Sequence, residues 1–497
     1  MAVMEDFGVE APAFLGGAKG LLIGGRWQPA ASGEDIAAIN PATGEAIARI
    51  ARGARPDVDA AVAAARTAFE GEWSRWTPHE RRRLLIRVHD LVEKHFDELA
   101  LIDTLDMGAP LARTRGMKGW LSQMILSYAA QTTAGGAETL QNSMAGNIHT
   151  MKLKAPVGVV GGIIPWNAPL MSQWWILGPT LATGCTAVLK PAEDASLSAL
   201  RVAELLQEAG VPDGVINVVT GFGAEAGQAL AEHPGVDRLA FTGSVDTARR
   251  IVAASAGNVK RLSLELGGKS PDIVFRRREP RAGGAGRGDG LLRQQRPDLR
   301  RRHPPLRAAG DPRGVRQAAE RLQPRSAARE RARPEGRPRA AHLAAPARPG
   351  DALRRDRLRR GARLASGGRR LEGALAKGFF VEPTVFADAT NDMTIAREEI
   401  FGPVVTVIPF DTVEEALALA NDTAFGLAGG VWTRSLSTAH RMARGIRAGT
   451  IWINGYGVLD PVVGFGGYRM SGYGWKGGKD HVESFLYPKA VYMNLDD

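Results

Sequence analysis

Cysteine is almost missing from this chain: of 497 residues only Cys185 carries a thiol. One thiol excludes an internal disulfide and any multi-cysteine metal site, and it suits a reducing compartment. No metal cluster motif is apparent. A membrane span is excluded on other grounds. The longest charge-free stretch, Ala155 to Leu189, is long enough to cross a bilayer, but Pro156, Pro165, Pro169 and Pro179 interrupt any helix within it. It reads as buried strand, turn, helix and strand. Residues 1–20 include Glu5, Asp6 and Glu10 and hold no unbroken apolar core, so no secretory signal is expected and the predicted location is cytoplasmic.

A second absence is local. Residues 276–360 contain no Ile, Phe, Tyr, Trp, Met, Thr, Asn, Cys or Lys, and a single valine, Val315. They hold 26 arginines against nine Asp and Glu, a surplus of 17 positive charges. The whole chain carries +11, so everything outside this window is mildly acidic, at −6. With ten prolines, no aromatic residue and a single β-branched one, the window cannot bury enough surface to offset ordering entropy, and it reads as disordered. Arginine excess alone would suggest nucleic-acid binding, but the window has no aromatic residue for base stacking and no helical amphipathicity.

Outside the window the patterning is that of an α/β enzyme. Apolar residues recur at three- and four-residue steps in Pro56–Phe69 and His79–Met107, which predicts helices. Short apolar runs bounded by Gly or Pro predict strands at Val157–Ile164, Thr186–Leu189, Val215–Val219, Arg238–Phe241 and Leu262–Leu264. Helical segments at Leu197–Gly210 and Ala224–His233 separate several of these, as in parallel βαβ units. Ordinary patterning resumes near Gly361.

Four blocks carry chemistry. The first is Ile164-Pro165-Trp166-Asn167 after a strand, followed by Lys190-Pro191-Ala192-Glu193 after the next. The second is the glycine-rich turn Gly221-Phe222-Gly223-Ala224-Glu225-Ala226-Gly227, with Phe241-Thr242-Gly243-Ser244 downstream. The third is Leu264-Glu265-Leu266-Gly267-Gly268-Lys269-Ser270-Pro271, and the fourth Glu398-Glu399-Ile400-Phe401-Gly402-Pro403, followed by Trp452-Ile453-Asn454-Gly455. Each block alone is weak evidence; a lone glycine-rich turn is common. In this order and spacing they resemble the aldehyde dehydrogenase superfamily over about residues 20–275 and 361–497.

Glycines between a strand and a helix let backbone amides approach a pyrophosphate, and the resemblance puts Gly223, Gly227 and Ser244 there. It also implies that Lys190 and Glu193 hydrogen-bond the adenosine ribose. A carboxylate at Glu193 disfavours a 2′-phosphate by like-charge repulsion, which favours NAD over NADP, while Lys190 softens the preference and leaves NADP open. Glu399 would grip the nicotinamide ribose and Phe401 pack near the ring. Ile163, Pro165, Trp166, Phe241 and Leu266 complete the implied cofactor site. For catalysis, Asn167 would donate to a developing oxyanion and Glu265 would be the general base. The competing readings are a turn residue before Pro169 and a surface carboxylate at a strand end.

The resemblance also implies a nucleophilic cysteine about 35 residues after Glu265, in a Gly-Gln-x-Cys context. That place holds Arg296-Pro297-Asp298-Leu299-Arg300. Cys185 lies on the strand leading to the ribose-binding turn, where a free thiol is commonly buried and inert. A shifted reading frame explains the window. GC-rich codons for Gly290 to Arg307, moved by one frame, read Phe-Phe-Ala-Asn-Ser-Gly-Gln-Ile-Cys-Ala-Ala-Gly-Thr-Arg-Leu-Tyr, a match to the family's nucleophile motif. The cysteine codon straddles Leu299 and Arg300. Compensating frame changes near Phe275 and Gly361 would account for the arginine excess, the lost β-branched and aromatic residues, and the return to register.

The resemblance implies an aldehyde dehydrogenase-like α/β fold in three parts. These are an NAD-binding α/β domain (1–135 and 155–264), an α/β catalytic domain (265–465, its first third aberrant) and a small β oligomerisation element (136–154 and 466–497). The apolar-rich strand Phe485–Tyr492 would be an exposed edge in a monomer, so a homodimer or homotetramer is expected. Trp174, Trp175 and Phe465 are candidate walls of an apolar entrance for aromatic or medium-chain aldehydes, or ordinary core. Three readings follow: an aldehyde-oxidising enzyme whose natural sequence differs across the window, an inactive NAD-binding relative, and a protein with an arginine-rich nucleic-acid-binding insert. The first is preferred, with no nucleic-acid or membrane partner, and the chain as written is expected to be inactive.

Overall fold

The computed structural model describes residues 12–275, the backbone of 290–294, and residues 362–496. Within 276–360, where disorder was expected, residues 290–294 form a strand; the rest of that window and the Leu299–Arg300 junction lie outside the described residues. Four sheets organise what is described, one of them a small sheet of Ala18–Lys19, Ala46–Ala51 and Asp35–Ile39. The largest has eight strands, and five of them run parallel at its centre: Arg261–Glu265, Arg238–Thr242, Val159–Ile163, Thr186–Lys190 and Ile216–Val218, in that spatial order. Antiparallel strands close its two sides, Gly472–Tyr473 beside Arg261–Glu265 and Leu21–Ile23 beside Ile216–Val218. The strands Val159–Ile163 and Thr186–Lys190 are buried along their whole length, because helices cover both faces of a parallel sheet.

Local chemistry explains the helices that cover it. Helix Arg55–Glu70 has Pro56 in its first turn and presents Val58, Ala61, Val62 and Ala65 to the sheet at helical spacing. The single helical pattern expected over His79–Met107 is two helices, Pro78–Lys94 and Phe96–Met107, broken at His95. Thr77 and Glu80 form a capping box that starts the first, and Gly108, at φ 75°, ends the second. The stretch 155–189 is strand, turn, helix and strand as expected. Among the described residues no helix is long and apolar enough to cross a membrane.

The second sheet has seven strands. Thr384–Ala387, Val404–Phe410, Pro271–Phe275, Ala428–Trp432 and Thr450–Ile453 all run the same way. Gly290–Gln294, from the arginine-rich window, lies between Val404–Phe410 and Pro271–Phe275 and is antiparallel to both. The third sheet is small and antiparallel. Leu486–Asn494 pairs along nine residues with Ile148–Pro156, which also pairs with Glu138–Leu140. The preceding segment does not join this sheet: Gly472–Tyr473 extends the eight-stranded one instead.

Candidate active site

In a doubly wound parallel sheet, ligands gather at the carboxyl ends of the strands, where the chain changes winding direction. The candidate residues collect there. Val159–Ile163 ends at the Pro165-Trp166-Asn167 turn, Thr186–Lys190 at Glu193, and Ile216–Val218 at the Gly221–Gly227 turn. Arg238–Thr242 ends at Ser244, and Arg261–Glu265 at Glu265 itself. The chain winds from Val159–Ile163 outward through Thr186–Lys190 and Ile216–Val218, then returns to the opposite side with Arg238–Thr242, so the switch point adjoins the Asn167 turn.

Lys190 Nζ lies 2.7 Å from Glu193 Oε2, and the Gly223 amide approaches Glu193 Oε1 at 3.4 Å. Burial pushes the Lys190 ammonium down against the pull of Glu193. Burial also works against ionisation of Glu193, but the ammonium outweighs it and holds that carboxyl below the usual range. The glycine-rich turn Gly223–Gly227 is a π-helical turn leading into the short helix Gln228–Glu232, where a simple helix over Ala224–His233 was expected. A Cβ added at Gly223 would meet nothing within 4 Å, and one at Gly227 only Ile163 Cδ1 at 4.0 Å. Open space over two glycines at a helix start is the cradle a pyrophosphate needs. Arg52 clamps the turn from outside by pairing with Glu225 at 2.5 Å.

The other expected cofactor residues lie nearby in the fold or in its core. Ser244 caps helix Val245–Ala254, its hydroxyl accepting from the Thr247 amide. Ile163, Phe241 and Leu266 are buried in the core of the eight-stranded sheet. Trp166 and Phe401 meet edge to face, with ring centroids 4.9 Å apart, and Phe401 stays 38% exposed. Half-buried Pro165 precedes that pair.

Asn167 keeps its side-chain oxygen buried with no hydrogen-bond partner among the described residues. That oxygen is an acceptor, and leaving it unpaired costs about 1–3 kcal/mol unless a hydrogen-bond donor reaches it. Glu265 is half-buried at the end of its strand, with the Thr242 hydroxyl 3.4 Å from Oε2. The glycines after it serve a purpose the sequence does not reveal. A Cβ on Gly267 would fall 2.2 Å from Glu399 Oε2, so the bare backbone admits a side chain of the protein itself.

Cys185 is fully buried. Its Sγ donates to the Phe485 carbonyl at 3.4 Å and accepts from the Thr183 hydroxyl at 3.3 Å. Burial raises its thiol above the ordinary range despite those bonds, so it is neither accessible nor activated. Of the candidate entrance residues, Trp174 is wholly buried in the main core and is corrected from a wall to a core residue. Trp175 packs on Trp120 at 5.5 Å, and Phe465 clusters with Leu427 and Trp452. Sequence reasoning missed the buried acids Asp103 and Asp106 and the buried base Lys476. Each hides inside a segment whose other residues fit an apolar or glycine-rich pattern.

The chain is similar to known proteins. Benzaldehyde dehydrogenase (mitochondrial) of Antirrhinum majus is 40% identical over 488 residues, spanning 96% of this chain and 89% of its own. The Bacillus subtilis (strain 168) protein DhaS, itself named an aldehyde dehydrogenase only provisionally, is 40% identical over 499 residues, 97% of each chain. Betaine aldehyde dehydrogenase of Staphylococcus aureus, solved in complex with NAD+, superposes with a TM-score of 0.82 at 31% identity, covering 96% of this chain and 95% of that one. Residues 27–281 and 351–491 match the aldehyde dehydrogenase family. Cradle, aromatic pair, amide and carboxylate thus stand in a chain that belongs to the aldehyde dehydrogenase family.

Proposed function

We propose that the natural protein oxidises an aldehyde to a carboxylic acid with NAD through a cysteine thioester. We also propose that its nucleophile is encoded across the Leu299–Arg300 junction in another reading frame. The observation that carries this is a mismatch: the open Gly223–Gly227 turn, the Glu265 carboxylate and the Asn167 side chain share one edge of the sheet, while Cys185 is sealed in the core. Two facts support the frame account. The family match stops at residue 281 and resumes at 351, yet the chain aligns with DhaS over 97% of both lengths, so the window has about the length of what it replaces. The sheet fits this reading, since the window contributes a strand antiparallel to both neighbours among five strands that run the same way, with Arg363–Ser366 antiparallel at the edge.

In this reading NAD supplies the hydride acceptor. Gly223 and Gly227 admit its pyrophosphate, Lys190 and Glu193 face the adenosine ribose, and Glu399 faces the nicotinamide ribose. Trp166 and Phe401 form an apolar wall beside the reacting ring. Asn167 donates its amide N–H to the oxyanion that forms when the thiolate adds to the aldehyde carbon. Glu265 takes the thiol proton, and later a proton from the water that cleaves the thioester to acid and free thiol. Glu193 favours NAD over NADP. The uncovered edge of Leu486–Asn494 suits a second subunit, while Trp175 and Phe465, like Trp174, are buried and leave the aldehyde class open. The expected location is the cytoplasm.

The test compares the chain as written with one in which the second frame is restored across 276–360. NADH formation on benzaldehyde and on hexanal is followed for both. Turnover by the restored chain alone supports the proposal; normal turnover by the chain as written contradicts it.

A further inference from the structure

The connection that follows Glu265 crosses from one large sheet to the other. Arg261–Glu265 belongs to the eight-stranded sheet and Pro271–Phe275 to the seven-stranded one, with five residues, 266–270, between them. Two of the five touch the segment that carries Glu399 and Phe401. Gly267 lies under the Glu399 carboxylate, where a Cβ would come within 2.2 Å of Oε2. Lys269, only 6% exposed, donates from its ammonium to the Ile395 carbonyl at 3.1 Å. The Thr406 hydroxyl donates to the same oxygen at 3.3 Å.

The backbone explains why that oxygen takes donors from outside. Helix Thr394–Arg397 is a single turn, and the chain leaves it at Glu398, which is extended at φ −88° and ψ 143°. Carbonyls in the last turn of a helix find their partners elsewhere, and a lysine is a common one. A buried carbonyl left unpaired would be costly. Ile395 and Ala396 are buried, whereas Arg397, Glu398, Phe401 and Gly402 are exposed. The amides of Glu398, Gly402 and Val404 bond to carbonyls two to four residues back, so these bonds shape the segment without placing it. Its two ends place it. Pro403 is tied by its carbonyl to the Thr384 amide at 2.8 Å, and Ile395 is tied by Lys269 and Thr406.

We propose that Lys269 is a positioning residue for the nicotinamide side of the cofactor site: by gripping the Ile395 carbonyl it sets the segment that presents Glu399 to the ribose and Phe401 to Trp166. The inference rests on the reading of Glu399 as the residue that faces that ribose. Lys269 itself touches no cofactor and moves no proton. With Gly267 it makes the loop that leaves Glu265 the support for Glu399 and for Phe401, whose ring centroid stands 4.9 Å from that of Trp166.

The experiment uses the chain as written and K269M, whose unbranched side chain fills similar space but cannot donate. K269M is expected to bind NAD about tenfold more weakly, the equivalent of one charge-assisted hydrogen bond. It should bind ADP as tightly as the parent does, because ADP lacks the nicotinamide half. K269R keeps a donor and should stay close to the parent for both. E399Q should weaken NAD by a similar factor, and K269M should cost nothing further in that background, since nothing is left to position. Emission from Trp166, taken as the difference from the matching W166F variant, should move to longer wavelength in K269M as Phe401 leaves its ring. Parent NAD affinity in K269M, a loss of ADP equal to that of NAD, full additivity with E399Q, or unmoved Trp166 emission would each overturn the proposal. E399Q at parent NAD affinity, or a parent chain that binds no NAD, would instead count against the reading of the cofactor site. The Trp166 emission would then decide by itself whether Lys269 sets the segment.

Discussion

Glu399 stands directly over the bare backbone of Gly267, where an added Cβ would come within 2.2 Å of its Oε2. The two residues are far apart in sequence, and the contact fixes the carboxylate expected to face the nicotinamide ribose. G267A should push Glu399 aside at little cost to the fold, since the displaced atoms end a flexible side chain. Loss of one charge-assisted hydrogen bond, about 1.5 kcal/mol, corresponds to roughly tenfold weaker NAD binding. Calorimetric titration checks this; unchanged affinity would remove Glu399 from the cofactor site.

Glu193 should govern the choice of dinucleotide. E193Q removes the negative charge that opposes a 2′-phosphate and leaves the Lys190 ammonium available to it. The NAD:NADP affinity ratio should fall about tenfold, the equivalent of some 1.4 kcal/mol. If competitive titration of the two dinucleotides gives the parent ratio, the 2′ position lies elsewhere.

Cys185 should behave as a packing residue. Sealed in the core with a raised thiol, it should react with an aromatic disulfide reagent only as fast as the protein unfolds. C185A should lower stability by about 1–2 kcal/mol and leave NAD affinity unchanged. Fast labelling of the folded chain, slowed by NAD, would give this thiol the role denied to it here.

Asp106 predicts a pH dependence of stability. Burial raises its carboxyl to about 8, and neighbouring Asp103 and Asp194 add to the shift against a hydrogen bond from the Leu197 amide. The folded state then keeps a proton that the unfolded chain releases near pH 4. Stability from this group is full below that point and is lost as pH rises towards 8. Asp103, raised to about 6 by burial, adds a similar loss over a narrower range. D106N keeps an acceptor for Leu197 but cannot ionise. It should flatten the decline between pH 5 and 8 by an amount on the order of 2–4 kcal/mol in denaturant titrations. An identical slope in parent and variant would contradict the assignment.

The five central strands of the large sheet were legible to within two residues, because a strand buried on both faces must be a short apolar run between breakers. Asn167, Glu193 and Glu265 are legible in the sequence as candidates, and each stands at or just past the carboxyl end of a strand in the large sheet. The site was less legible where one residue type serves two purposes. Ser244 caps a helix, and Gly267 makes room for Glu399, a partner that only the folded chain reveals. His95 interrupts a helical pattern whose apolar spacing runs on unbroken through it. Asp103, Asp106 and Lys476 escaped because a charge in sequence reads as exposed, and only tertiary packing buries it.

The central claim is that the nucleophile is encoded at the Leu299–Arg300 junction in a shifted frame. Peptide mass spectrometry across residues 276–360 of the protein purified from its native host tests it most directly. The account predicts a cysteine-containing peptide that reads Asn-Ser-Gly-Gln-Ile-Cys-Ala-Ala-Gly, in a protein with more than one thiol. Peptides reading Arg-Pro-Asp-Leu-Arg, in an intact chain of 53.0 kDa with Cys185 as its one thiol, would contradict it.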